Sequence, residues 1–202
     1  MVKLIDDPAY GAAVLAALLQ AHFPLAGDPY SRDVIRNRDD PLHIAASLNN
    51  TSAVATLLEH GAPIHASDFN GDTPLACATN AGAAEAATLL IQAGADVNDC
   101  GTCSAGMIWA TLAEHAMWAP FSAALHSSHP PMSVPEGRQF MVMCELVSSG
   151  APLEIVREAV ASGLYADEIA APFREDRDYA DMADYARMRG REDIASVLSG
   201  AA

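Results

Sequence analysis

Two short motifs in this 202-residue sequence have spacings that suit chemistry. Cys100 and Cys103 form a Cys-x-x-Cys pair, and His126 and His129 form a His-x-x-His pair. Together they would supply the four ligands that a structural zinc ion takes. Ligand pairs of that kind normally come from a helix or a tight knuckle, and both pairs here fall in loops. No metal and no other cofactor is therefore expected. A nucleophilic enzyme needs a thiol or hydroxyl beside a base. Cys103 with His115 or His126 is the pairing that would qualify. No nucleophile elbow, phosphate-binding loop or His-Glu-x-x-His motif accompanies it. The reading is of a protein with no catalytic residues.

The elements that would carry these residues are mostly helices. Apolar residues make up 51% of the chain, which excludes intrinsic disorder. Much of that fraction is alanine, a strong helix former that allows close packing. Few stretches alternate apolar and polar residues as strands do. No run is long enough to span a bilayer; the longest near the N-terminus, Ala12 to Leu19, is far short. Lys3 is offset by Asp6 and Asp7, so no signal peptide is expected, and the expected location is cytoplasmic.

Charge is distributed unevenly. The net charge is −15, yet no Lys or Arg lies between Arg38 and Arg138, a stretch with ten carboxylates. A field of one sign over half the chain repels nucleic acid and anionic membrane and attracts cationic surfaces.

Two segments repeat at a spacing of 33 residues. Asp40-Pro41-Leu42-His43 aligns with Thr73-Pro74-Leu75-Ala76, and Gly61 after Leu57-Leu58 aligns with Gly94 after Leu89-Leu90. Asp40 and Thr73 each suit a helix N-cap, with proline at the first helical position. Ala45, Ala46 and Ala78 let a neighbouring helix approach. A second helix follows in each repeat and ends at glycine. Residues 68–72, Asp-Phe-Asn-Gly-Asp, supply a turn between repeats.

This pattern resembles the ankyrin repeat, which opens Thr-Pro-Leu-His-x-Ala-Ala. Of the six fixed positions, residues 40–46 match five and residues 73–79 match four. The resemblance implies an all-α solenoid of stacked helix-turn-helix units, and at least three units for stability. It implies one domain over 1–202. Residues 1–35 would form an N-terminal cap, beginning with a helix at Asp7-Pro8. Residues 36–68 and 69–101 would be repeats. Residues 102–152 would be a degenerate repeat, with Gly106–His115 as its first helix and Gly150 ending its second. That spacing leaves 23 extra residues, an insertion at about 116–138. Residues 153–180 would be a second, partly helical insertion, and 181–202 a C-terminal capping repeat. In ankyrin register Cys100 and Cys103 fall on a hairpin, His43 braces the turn, and Cys77 and Cys144 enter the core.

The resemblance also implies a protein-binding surface made of hairpin tips and the exposed face of the first helices. Carried onto this chain it gives Asn37, Asp39 and Ser47 in one repeat, and Ser67, Phe69, Asn70, Asp72 and Asn80 in the next. Thr102, Cys103 and Glu114 follow in the third. Trp118 and Phe121, in the expected insertion, are either a second contact or packing aromatics. The expectation is a monomeric, non-enzymatic binder of a basic protein, as an inhibitor or immunity protein of a cationic toxin. The alternative is an adaptor that binds through 116–138.

Overall fold

The computed structural model describes residues 41–68, 70–99, 101, 107–127, 136–164 and 181–200. Among them are ten α-helices and no strand. The expected N-terminal capping helix lies outside the described residues. By their contacts the residues form two compact units, 1–104 and 105–202.

In the first unit α1 (Pro41–Ser47) and α2 (Thr51–Glu59) make one helix pair, and α3 (Pro74–Asn80) and α4 (Ala84–Gln92) the next. α1 packs on α3 and α2 on α4, so the first helices form one layer and the second helices another. Alanine makes this spacing possible: Ala45, Ala46, Ala78, Ala86 and Ala87 are fully buried. Leu42, Leu57, Leu75 and Leu90 fill the space between layers. Asp40 lies outside the described residues, but the cap expected at Thr73 is present. Thr73 Oγ1 accepts from Ala76 N at 3.2 Å, with Pro74 at the first helical position.

Each first helix ends in the same turn. Asn49 and Gly82 have positive φ (56° and 71°), and the next N–H bonds back to the carbonyl five residues earlier. Asn49 also reaches into the following repeat. Its Oδ1 accepts from Ala86 N at 2.9 Å, and its amide donates to Glu85. α4 has no side-chain cap of its own, since Ala83 stands at its N-cap. The carboxyl of Glu85 is held below its ordinary range chiefly by the Asn49 amide.

The second unit keeps the same turn, and this corrects the expected insertion. Ala116, Gly150 and Gly190 have φ of 53°, 80° and 73°, each followed by the same five-residue backbone bond. They close the first helices α5 (Met107–Glu114), α7 (Glu136–Ser148) and α9 (Met182–Met188). The second helices are α6 (Trp118–Leu125), α8 (Leu153–Ala161) and α10 (Glu192–Leu198). α5 packs on α7 and α7 on α9; α6 packs on α8 and α8 on α10. Residues 118–125 are therefore a second helix at regular spacing, and Gly150 ends a first helix instead of a second. Likewise 153–161 belongs to a helix pair; the remainder of the expected second insertion, 165–180, lies outside the described residues. Pro120 does not interrupt α6 because it is the third helical residue, where the N–H has no intrahelical partner to lose.

One close approach joins adjacent turns in the first unit. A Cβ placed on Gly101 would lie 1.4 Å from the Gly71 carbonyl oxygen, and Gly101 has φ +76°. Gly101→Ala must push the two turns apart as well as strain its own backbone. We expect a loss of about 2 kcal/mol or more in urea unfolding of the full chain. A change under about 0.5 kcal/mol, the usual size for a surface substitution, would contradict it.

Candidate protein-binding site

The site is built on the turn at Asp68. This residue is 8% exposed. Its Oδ1 accepts from Asn70 N at 2.7 Å and from Asp72 N at 2.9 Å, and its own N–H donates to Asp72 O at 2.8 Å. Gly71, with φ 84°, closes the turn. His43, 3% exposed, holds it from behind. The Nε2–H of His43 is shared between the carbonyls of Ala66 and Asp72, each at 3.1 Å. The histidine is thus the brace the sequence implies. Ala76 replaces it in the next repeat, where Thr73 Oγ1 instead donates to Asp99 O at 3.3 Å. Asp99 stands 33 residues after Ala66, so a different side chain serves the equivalent carbonyl.

Between this turn and helices α1 and α3 lies a recess of about 430 Å³. Asp68 and Asp72 line it with Cys77, and the carboxylate oxygens and Sγ lie within 4.8 Å of one another. Ile44 and Ala81 form apolar wall; Ser47, Asn70 and Asn80 form the polar rim. Burial, then the Asp68 carboxylate, raise the Asp72 pKa, with partial relief from His43. Cys77 is half-buried, not the core residue the sequence reading expects. Burial first, then Asp68 and Asp72, push its thiol up to about 12.

The thiol offers a probe of the site. At pH 8 a pKa near 12 leaves only about one Cys77 in 10⁴ as thiolate, so alkylation is expected only when the unit opens. The unfolded chain ionises this thiol near its ordinary value of 9.0, while the folded chain holds the proton. Stability from this source is therefore intact below pH 9 and falls between pH 9 and 12. Thiol titration of native protein at pH 8 that matches the denatured rate would refute this.

Four sequence-derived contact residues, Ser47, Asn70, Asp72 and Asn80, come together around the recess. Ser67 is exposed nearby in the chain, and Glu114 is exposed at the corresponding place on α5 in the second unit. Asn37, Asp39, Phe69, Thr102 and Cys103 lie outside the described residues, as do Cys100 and His129. Phe121 is corrected: it is fully buried, 5.4 Å from Trp109 in an edge-to-face contact, and cannot meet a partner. Trp118 is half-buried on the same helix. The sequence reading missed Ile44 and Cys77, which stand five residues before the turn positions Asn49 and Gly82. Thr111, Glu145 and Tyr185 hold that place in the second unit and are also half-buried. The turn register would have found all five.

Residues 10–99 match the family model for ankyrin repeats, in three copies. Those residues are ankyrin repeats. This is a fold for protein–protein interaction, and the helix pairs of both units agree with an α-solenoid. Among solved structures, a chain in the complex of a predatory endopeptidase from Bdellovibrio bacteriovorus with an immunity protein has a similar fold. The TM-score is 0.57 at 18% identity, over 98% of this chain and 96% of that one. At that identity the likeness speaks to the fold. No curated protein matches the sequence. No helix among the described residues is long and apolar enough to cross a membrane.

Proposed function

We propose that this ankyrin-repeat chain is a non-catalytic inhibitor, of the immunity type, that captures a basic protein through the recess face of its first unit. The observation that carries the proposal is the recess itself. It gathers the carboxylates of Asp68 and Asp72 with three further sequence-derived contact residues, Ser47, Asn70 and Asn80, within a stretch of chain without a single Lys or Arg. Burial first, then the neighbouring Asp68 carboxylate, disfavour the charge on Asp72 and raise its pKa, which is a cost to the folded state. A cationic partner would relieve that cost. The similar fold seen in an endopeptidase–immunity protein complex supports a hydrolytic enzyme as the class of target. In this reading the protein acts as a monomer in the cytoplasm.

The test is affinity capture from lysate of the source cell, repeated at low and high salt and read by mass spectrometry. One basic protein that leaves at high salt is expected. With that partner purified, the association rate should fall about tenfold or more between 0.05 and 0.5 M salt, while a neutral interface would change little. Partners that are neutral, or a rate indifferent to salt, would defeat the electrostatic reading.

A further inference from the structure

Asp68 presents an unusual charge to the recess. It is more than nine-tenths buried, yet only one of its oxygens is well satisfied. Oδ1 takes two short bonds from backbone amides. Among the described residues, the only hydrogen bond to Oδ2 is a long one, 3.4 Å, from the exposed Asn70 amide. A buried carboxylate ordinarily recruits strong donors to both oxygens. Asp72, whose carboxylate makes no hydrogen bond to another described side chain or amide, borders the same space. The nearest Lys or Arg in the sequence is Arg38, 30 residues before Asp68.

The recess walls are of two kinds. Acid lies at the turn; on the helices Ile44 and Ala81 provide apolar surface, and Ser47 and Asn80 add neutral polar groups at the edge. This combination fits an amphipathic cation better than a small hydrated ion. A side chain entering between the helices would lay its methylenes or flat face along Ile44 and Ala81, while its charged end reached the turn. A guanidinium donates in several fixed in-plane directions and is weakly hydrated, so one group can serve two carboxylates that do not face each other. An ammonium is compact and strongly hydrated, and gains less from the apolar wall.

We infer that the recess between α1, α3 and the 68–72 turn is a receptor for one arginine side chain of the partner, held by Asp68 and Asp72 against Ile44 and Ala81. The inference rests on the proposed capture of a basic protein and specifies how that protein is recognised. Bound arginine supplies Asp68 Oδ2 with a strong donor and relieves the Asp68–Asp72 repulsion. It makes the recess selective among basic proteins, because surface charge alone would not distinguish arginine from lysine.

N-acetyl-arginine amide, titrated into the full chain and followed by ¹⁵N chemical shifts, tests this without the partner. Saturable millimolar binding is expected, with the largest shifts at Ser47, Asn70 and Asn80. The lysine analogue should bind several-fold more weakly, and the neutral citrulline analogue not at all. Asp72→Asn removes the charge while keeping the backbone groups that bond Asp68 and His43, and should weaken arginine binding at least tenfold. Ala81→Leu should block the recess in a protein whose spectrum otherwise remains folded. Shifts that never saturate, or equal binding of citrulline, would overturn the receptor. The two proposals separate in one comparison. A captured partner that still binds Asp72→Asn and Ala81→Leu at full strength overturns the arginine receptor but leaves the inhibitor intact. Arginine binding without any salt-sensitive partner overturns the inhibitor alone.

Discussion

Phe121→Ala is expected to remove about 3–5 kcal/mol from the second unit, the usual cost of emptying a fully buried phenylalanine site. The side chain has no exposed surface, and its ring meets Trp109 edge-on at 5.4 Å. Trp109 is itself fully buried on α5, so the pair pins α6 to α5. Neither α7 nor α8 can refill the space, because Leu146, Val147 and Val156 are already packed without exposure of more than a few per cent. Typical domain stability is about 5–15 kcal/mol, so this one truncation would consume a large share of it. Urea unfolding followed by circular dichroism and tryptophan fluorescence measures the loss. Trp118→Ala, one turn away but half-buried, should cost clearly less. Equal costs, or a Phe121→Ala loss below about 1 kcal/mol, would put Phe121 at the surface and restore it as a contact residue.

His43→Ala should cost the first unit about 3 kcal/mol, by a different mechanism. The imidazole donates to two backbone carbonyls, those of Ala66 and Asp72, which belong to the two ends of the inter-repeat turn. Deleting the ring takes the His43 donor from the Ala66 carbonyl, leaves Asp72 O with the Asp68 N–H, and opens a cavity behind the turn. The recess would then lose its shape, since Asp68 and Asp72 depend on that turn for position. His43→Gln keeps an amide donor and should recover part of the loss. In a repeat array each unit contacts its neighbours alone, so the damage should concentrate at the turn between α2 and α3. Hydrogen exchange would show protection lost there first. Uniform loss over both units, or Gln no better than Ala, would mean that bulk and not the shared hydrogen bond is what His43 contributes.

The first unit was legible in the sequence because its signals are local and agree. Thr73 with Pro74 starts a helix, the leucine pairs face inward, and Gly61 and Gly94 end the second helices with φ of 83° and 99°. The second unit was misread for an equally local reason. Glycine ends either helix of a repeat, so Leu146-Val147-Ser148-Ser149-Gly150 looks like Leu57-Leu58-Glu59-His60-Gly61 although it closes a first helix. The true turn before α6 was hidden because alanine, not glycine, takes the left-handed backbone at residue 116. Pro120 adds no local signal for a helix there, yet its place in the first turn of α6 makes it harmless. For the recess, the ankyrin register carried onto the chain named Ser47, Asn70 and Asn80, which line it. The half-exposure of Ile44 and Cys77 depends on how far α1 stands from α3, which only the packed alanines determine.

Among the described residues, three side-chain bonds that cross between repeats in the first unit run one way. Asn49 supplies the start of α4, His43 holds the carbonyl of Asp72, and Asp68 Oδ1 takes the Asp72 N–H. In every case a side chain from the earlier repeat satisfies the backbone of the later one. The array therefore has a direction that a symmetric stack of identical plates would lack. An earlier repeat can complete its own bonds before its successor exists, whereas the successor begins with groups that only its predecessor can satisfy. That is also the order in which a ribosome delivers them, so each newly made repeat meets a finished template instead of waiting for one.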